Sequence, residues 1–134
     1  MKNLEQIRAA NALGYADAGV NTRGTEGGDV VKKLPALIMT NGLLAAGAFA
    51  YAKGGDDGWY VCFNHLAQHL SDPQIAALPS SVKDLRGLLD YLTGKADSAA
   101  LKHATDEALA WLAYARRFVK KDKSKDGPND TSKP

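Results

Sequence analysis

Cys62, His65 and His69 are the residues whose types and spacing come nearest to a recognisable chemistry. On a helix, offsets of three and seven put all three on one face. Thiolate and imidazole are both zinc ligands, and two histidines four apart can reach one ion. A structural site needs a fourth ligand, and the chain has no second cysteine to complete a paired motif. His65-Leu66-Ala67-Gln68-His69 also lacks the glutamate that a zinc protease places after its first histidine. No bound metal is therefore expected. Cys62 and His65 as nucleophile and base would need something to lower the thiol pKa and a site for an oxyanion, and the neighbouring sequence offers neither. The three are read as a half-buried thiol and two ordinary surface or interfacial histidines.

The remaining candidates divide in the same way. Asp56 and Asp57 sit in a glycine-rich turn, where capping and solvation account for them. The glycines of 24–28 lack the lysine-serine/threonine ending and the preceding strand of a phosphate-binding loop. No enzyme signature emerges, and neither catalytic residues nor a cofactor are expected. Nucleic-acid binding has more support. Lys32 and Lys33 stand at a helix opening, and Arg116, Arg117, Lys120 and Lys121 recur near the end of the last helix. Such side chains neutralise phosphates without reading bases. Residues 1–115 carry 10 basic and 12 acidic side chains, whereas residues 116–134 carry 7 basic and 3 acidic ones. The basic excess is thus confined to the C-terminal end, as a handle for a polyanion or simply as a solvated tail.

These residues need helices to position them. Leu4, Ile7, Asn11, Tyr15 and Ala18 follow three-to-four spacing, predicting a first helix over about residues 2–19, with Gly19 at its end and a flexible linker at 21–29. Asp29 can cap a second helix that continues to Lys53, with Pro35 in its opening turns. From Leu34 to Ala52 that helix has no charged side chain, so it is expected to be buried on every side, thinned by Gly42, Gly47 and several alanines. Gly54–Gly58 is a turn whose aspartates suit the start of a third helix, to about Leu70. Ser80 or Ser81 is expected to cap the next helix, ending at Gly94, and Asp97 to cap the last and longest. In that helix Leu101, Thr105, Ala108, Leu112, Ala115 and Val119 form a packing seam.

No period-two strand pattern persists, so the fold class is all-α, a compact bundle of about five or six helices. With 134 residues the chain makes one domain, 1–119, followed by a polar tail at 120–134 that should be disordered. One cysteine excludes an internal disulfide framework and suits a reducing cytosol. Met1–Ala10 is charged and amphipathic, unlike a secretory signal. The uncharged run is long enough to be weighed as a membrane span. Its proline, threonine, asparagine and many small residues favour a buried core helix instead.

Lys32-Lys33-Leu34-Pro35, followed by Thr40-Asn41-Gly42-Leu43 and Ala48-Phe49-Ala50, resembles the central motif of one protein family. These are the small helical subunits of the type III-B CRISPR-Cas effector, the RNA-guided RNA-silencing Cmr complex. Ala108-Leu109-Ala110-Trp111-Leu112 with Arg116-Arg117-Phe118 resembles the segment that ends their last helix. The resemblance covers roughly residues 1–119 and departs at Ala45 and Gly47, where relatives often carry glutamine and leucine.

It implies a non-catalytic structural subunit in antiviral defence. Its partners would be other subunits of the effector, copies of itself, and the crRNA/target RNA duplex. It also implies that Lys32, Lys33, Lys53, Arg116 and Arg117 face RNA. Asn41 is either polar support within the motif or a satisfied core amide, and Trp111 is read as core rather than as a stacking platform. The rival expectation is a stand-alone helical nucleic-acid-binding regulator. A helix–turn–helix would want a polar recognition helix, and here the Gly54–Gly58 turn precedes an aromatic, weakly basic one.

Overall fold

Helix ends written into the sequence set the element order. In the computed structural model, which describes residues 2–24 and 29–119, Asn3 opens α1 (Leu4–Asp17). The Asn3 side chain accepts from the Gln6 amide and the Gln6 side chain accepts from the Asn3 amide, both at 2.9 Å, a reciprocal capping box. Asp57 caps α4 (Gly58–Leu70) by accepting from the Trp59 amide at 2.8 Å. Asp97 caps α6 (Ser98–Phe118) by accepting from the Ala100 amide at 2.8 Å.

Two expectations fail in instructive ways. The single helix expected from Asp29 to Lys53 is two, α2 (Val30–Asn41) and α3 (Leu43–Lys53), parted at Gly42 with φ +94°. An L side chain rarely adopts that backbone conformation, so glycine permits the break. The fourth main helix, α5 (Leu85–Gly94), starts not at Ser80 or Ser81 but after Asp84, which accepts from the Gly87 amide at 2.8 Å. The Leu85 amide also donates to the Asn64 side chain at 2.9 Å, so α4 helps to fix where α5 begins. Val82 is buried from the loop before the helix.

The break at Gly42 also corrects the burial expected of Leu34–Tyr51. One face is core: Leu34 and Ile38 of α2, then Leu43, Ala46, Gly47 and Ala50 of α3. The other face is open, leaving Met39 75%, Phe49 40% and Tyr51 42% exposed. Helix α4 touches all five other helices, and α6 packs along α1, α2 and α4. The seam expected on α6 holds for Ala108, Leu112, Ala115 and Val119, whereas Leu101 and Thr105 are half-buried.

A strap at residues 21–24 crosses the start of α4, where the Gly58 amide donates to the Arg23 carbonyl at 2.8 Å. Among the described residues the sole extended pairing is an isolated bridge between Arg23 and Asp29, and no helix is long and apolar enough to cross a membrane. The tail at 120–134, expected to be disordered, lies outside the described residues, as do 25–28 of the expected linker.

Candidate nucleic-acid interface

Separating α2 from α3 opens a groove between them that reaches Trp59 at the start of α4. It is a shallow, open cleft of about 360 Å³ and is mostly apolar. Lys33, Ala36, Leu37, Thr40 and Asn41 line it from α2, Phe49 from α3 and Trp59 from α4. Four of these, Lys33, Thr40, Asn41 and Phe49, belong to the motif that carries the family resemblance. Residues sixteen apart in sequence therefore converge on one surface, and Asn41 faces this groove rather than the core.

Phe49 is held edge-on to Trp59, with ring centroids 5.1 Å apart and planes at 90°, a favourable aromatic arrangement. The Lys53 ammonium lies 4.6 Å from the Phe49 ring centroid, a cation–π contact. Of the five cations expected to face RNA, the structure thus brings Lys33 and Lys53 together around Phe49. Lys53 also borders a second, larger hollow of about 540 Å³ between the 21–24 strap and the 54–57 turn. Lys32 is exposed one residue before Lys33. Arg116 and Arg117 are exposed on the last turn of α6 and are not part of the groove's lining; Arg117 Nη1 donates to the Ala113 carbonyl at 2.7 Å. Phe49 and Trp59 were not singled out from sequence as site residues. The available signal was Phe49's place in the motif, masked by the expectation of burial.

The cysteine–histidine cluster is reassigned by its surroundings. Cys62 is fully buried rather than half-buried, and burial pushes its thiol up to about 12, leaving no thiolate at neutral pH. His69 is not a surface histidine but is 2% exposed. Its Nε2 lies 2.9 Å from Glu107 Oε2 and its Nδ1 lies 2.9 Å from Asn11 Nδ2. The Asn11 amide nitrogen also donates to Asp72 Oδ2 at 3.0 Å. That network assigns the tautomer: Nδ1 accepts from Asn11, and Nε2–H donates to Glu107. His65 is half-buried, which lowers its pKa, and its ring lies 5.0 Å from that of Tyr15. Among the described residues no three His, Cys, Asp or Glu side chains are grouped so as to hold a metal ion.

Glu107 and Arg8, which complete this network, were not legible as a pair. Burial alone would raise the Glu107 carboxyl, but hydrogen bonds from Arg8 and His69, with the charge of Arg8, outweigh it and hold it at about 2. The sequence signal was a lone acid on the stripe Ala104, Glu107, Ala108, Trp111, which is otherwise apolar. Trp111 is core, 1% exposed between the rings of Tyr15 and His69.

The model of one protein family, described as CRISPR-associated protein (Cas_Cmr5), matches residues 4–121. No curated protein and no solved structure matches the chain.

Proposed function

This chain belongs to the CRISPR-associated Cas_Cmr5 family, and from that membership we propose that it is a non-catalytic small structural subunit of a type III-B Cmr ribonucleoprotein effector. In this reading it packs against other subunits and against copies of itself in the cytoplasm. It stiffens the assembly and holds crRNA and target RNA for antiviral defence, while target cleavage belongs to another subunit.

The observation that carries the RNA-holding part is the convergence of Lys33, Thr40, Asn41 and Phe49 on one groove, with Lys53 over the Phe49 ring. Lys32, Arg116 and Arg117 are exposed and could reach a phosphate chain. The outward face of α2 and α3, with Met39 and Tyr51 exposed, supplies apolar area for neighbouring subunits. A non-catalytic role agrees with a thiol kept protonated by burial and a Glu107 carboxylate committed to Arg8 and His69.

The test is target capture by a reconstituted complex with and without this subunit. Lys32, Lys33, Arg116 and Arg117 together would neutralise four phosphates of a single strand, a slope of about −2.8 in log affinity against log salt. Replacing all four with alanine should leave incorporation intact, weaken capture and flatten that slope. Normal incorporation with unchanged affinity and slope would make these side chains merely solvated. Cleavage of RNA by the isolated chain with magnesium or manganese, abolished by substituting one of its own residues, would refute the non-catalytic reading.

A further inference from the structure

We propose that the cleft between α1 and α4 docks one arginine side chain of a neighbouring protein subunit, with its guanidinium paired to Asp72. Only the source of that arginine rests on the subunit reading above; the cleft stands on its own geometry.

The cleft holds about 300 Å³, at the small end of ligand-sized pockets. Asn11 and Gly14 line it from α1, His65 and Gln68 from α4, and Asp72 from the turn after α4. Gly14 lies inside α1, where glycine costs helix propensity. Among the described residues a Cβ there would meet nothing within 4 Å, so no close packing calls for glycine at this place. Its missing side chain is cleft volume.

The polar groups of the lining are mostly acceptors. The Asn11 amide nitrogen donates to His69 and Asp72, which leaves its carbonyl oxygen without a partner. Gln68 donates to the Lys83 carbonyl at 3.3 Å and likewise keeps a free oxygen. His65 meets the Tyr15 ring but makes no hydrogen bond among the described residues, and half-burial lowers its pKa. Neutral at pH 7, it has one ring nitrogen able to accept. Asp72 accepts from Asn11 at one oxygen and from the Gln74 amide at the other, and each oxygen retains a lone pair.

Charge selects a cation. Burial would raise the Asp72 carboxyl, but the bonds from Asn11 and the Gln74 amide hold it below the usual carboxylate range. No lysine or arginine is part of the lining. Arg8, three residues before Asn11, is committed to Glu107, and Lys83 offers Gln68 its carbonyl rather than its ammonium. Asp17, one turn beyond Gly14 on the same face of α1, is exposed and of the same sign as Asp72. Of residues 25–28, outside the described ones, the only charged side chain is Glu26, again an acid. A phosphate would be repelled here, which points to a protein rather than RNA. Guanidinium suits the acceptors better than ammonium, because its planar fork can grip a carboxylate, reach separate amide oxygens and stack on a ring such as that of His65. The chain's own residues 120–134 hold lysines but no arginine.

The experiment uses the full chain, with the His65 imidazole nitrogen resonances as reporter and methylguanidinium and methylammonium as probes. Methylguanidinium should shift those resonances saturably and bind more tightly than methylammonium. Gly14→Leu should abolish the shift by filling the cleft, without lowering the melting temperature, since leucine is the better helix former. Asp72→Asn, which keeps an oxygen for Asn11 and for the Gln74 amide, should weaken binding roughly tenfold. Both variants should also incorporate less tightly into the reconstituted complex. Absence of a saturable shift, methylammonium binding as tightly, or a shift that survives Gly14→Leu or is undiminished in Asp72→Asn would overturn the guanidinium site. Methylguanidinium binding with normal incorporation of both variants would mean that the cleft takes a free guanidinium compound, and the docking proposal would fall. A wild-type chain that binds methylguanidinium but never enters the complex would remove the subunit reading, and with it the partner, while leaving the cleft's chemistry intact.

Discussion

Arg8 grips Glu107 with a forked pair of hydrogen bonds, Nε to Oε2 at 2.8 Å and Nη2 to Oε1 at 2.7 Å, and so ties α1 to α6. The same carboxylate accepts from His69 of α4 at 2.9 Å, so one side chain fastens three helices. Two parallel charge-assisted bonds also fix the orientation of the pair, which a single point contact would not.

Removing that carboxylate should be costly. Glu107→Ala leaves a partly buried guanidinium and a buried imidazole without their acceptor, and an expected loss of about 3 kcal/mol follows. Arg8→Ala combined with Glu107→Ala should cost less than the sum of the two single changes. Strict additivity in urea unfolding would show that the two side chains do not interact in solution.

Acid should weaken the fold through the same group. The folded Glu107 carboxyl is held at about 2, against an ordinary value of 4.5. In acid the unfolded chain therefore binds the proton first. The contribution is complete above the ordinary value and is lost as pH falls through the window down to about 2. It amounts to on the order of 2–3 kcal/mol. Asp72, whose carboxyl is lowered despite some burial, adds a smaller effect of the same sign. Urea midpoints of the wild type should fall more steeply with acid than those of Glu107→Gln; parallel curves would contradict this.

Gly58 has no room for a methyl group. A Cβ there would lie within 2.6 Å of the Arg23 backbone carbon and nitrogen, atoms that no rotamer change can move aside. Gly58→Ala should force the 21–24 strap off α4 and destabilise by about 3 kcal/mol, the upper end of ordinary overpacking. In a domain of this size that lowers the melting temperature by roughly 10 °C or more. A melting temperature within experimental error of the wild type would mean that the strap does not pack here.

Gly47 offers a graded comparison. A Cβ would meet Leu89 Cδ2 at 3.1 Å, Leu85 Cδ1 at 3.6 Å and Phe63 Cε1 at 3.7 Å. The nearest of these is the tip of a flexible side chain, and alanine gains up to about 1 kcal/mol of helix propensity, so Gly47→Ala should be close to neutral. Gly47→Leu should overpack this contact and cost about 1–3 kcal/mol. A leucine variant as stable as the alanine one would argue that α3 stands further from α5.

Cys62 should behave as a core residue. With the thiol fully buried and pushed up to about 12, alkylation of folded protein should be slow and limited by opening of the structure. Labelling should accelerate sharply across the urea transition. Rapid, stoichiometric modification under native conditions would place the thiol at the surface.

What the sequence determined by itself is largely local. Asp57 and Asp97 announce helix starts because a capping side chain bonds an amide within three residues of it, whatever the rest of the chain does. The all-helical class, the apolar stripe of α6 and the basic pair before Pro35 were legible for the same reason, as were the residues that carry the family resemblance.

Tertiary structure alone decided the remainder. Gly42 is equally compatible with a thin helix interior and with a break, and the choice turned on whether α2 and α3 could each bury a separate face. That choice brought Phe49 to the surface beside Lys33 and created the groove. Asp84 rather than Ser80 or Ser81 starts α5 where Asn64, 21 residues earlier, meets the Leu85 amide. Arg8 and Glu107 lie 99 residues apart, and nothing near either names the other. A hydrogen bond closed within one turn depends only on the residues of that turn, whereas a pair on two helices exists only once those helices have docked, and docking is settled by the summed burial of all their faces.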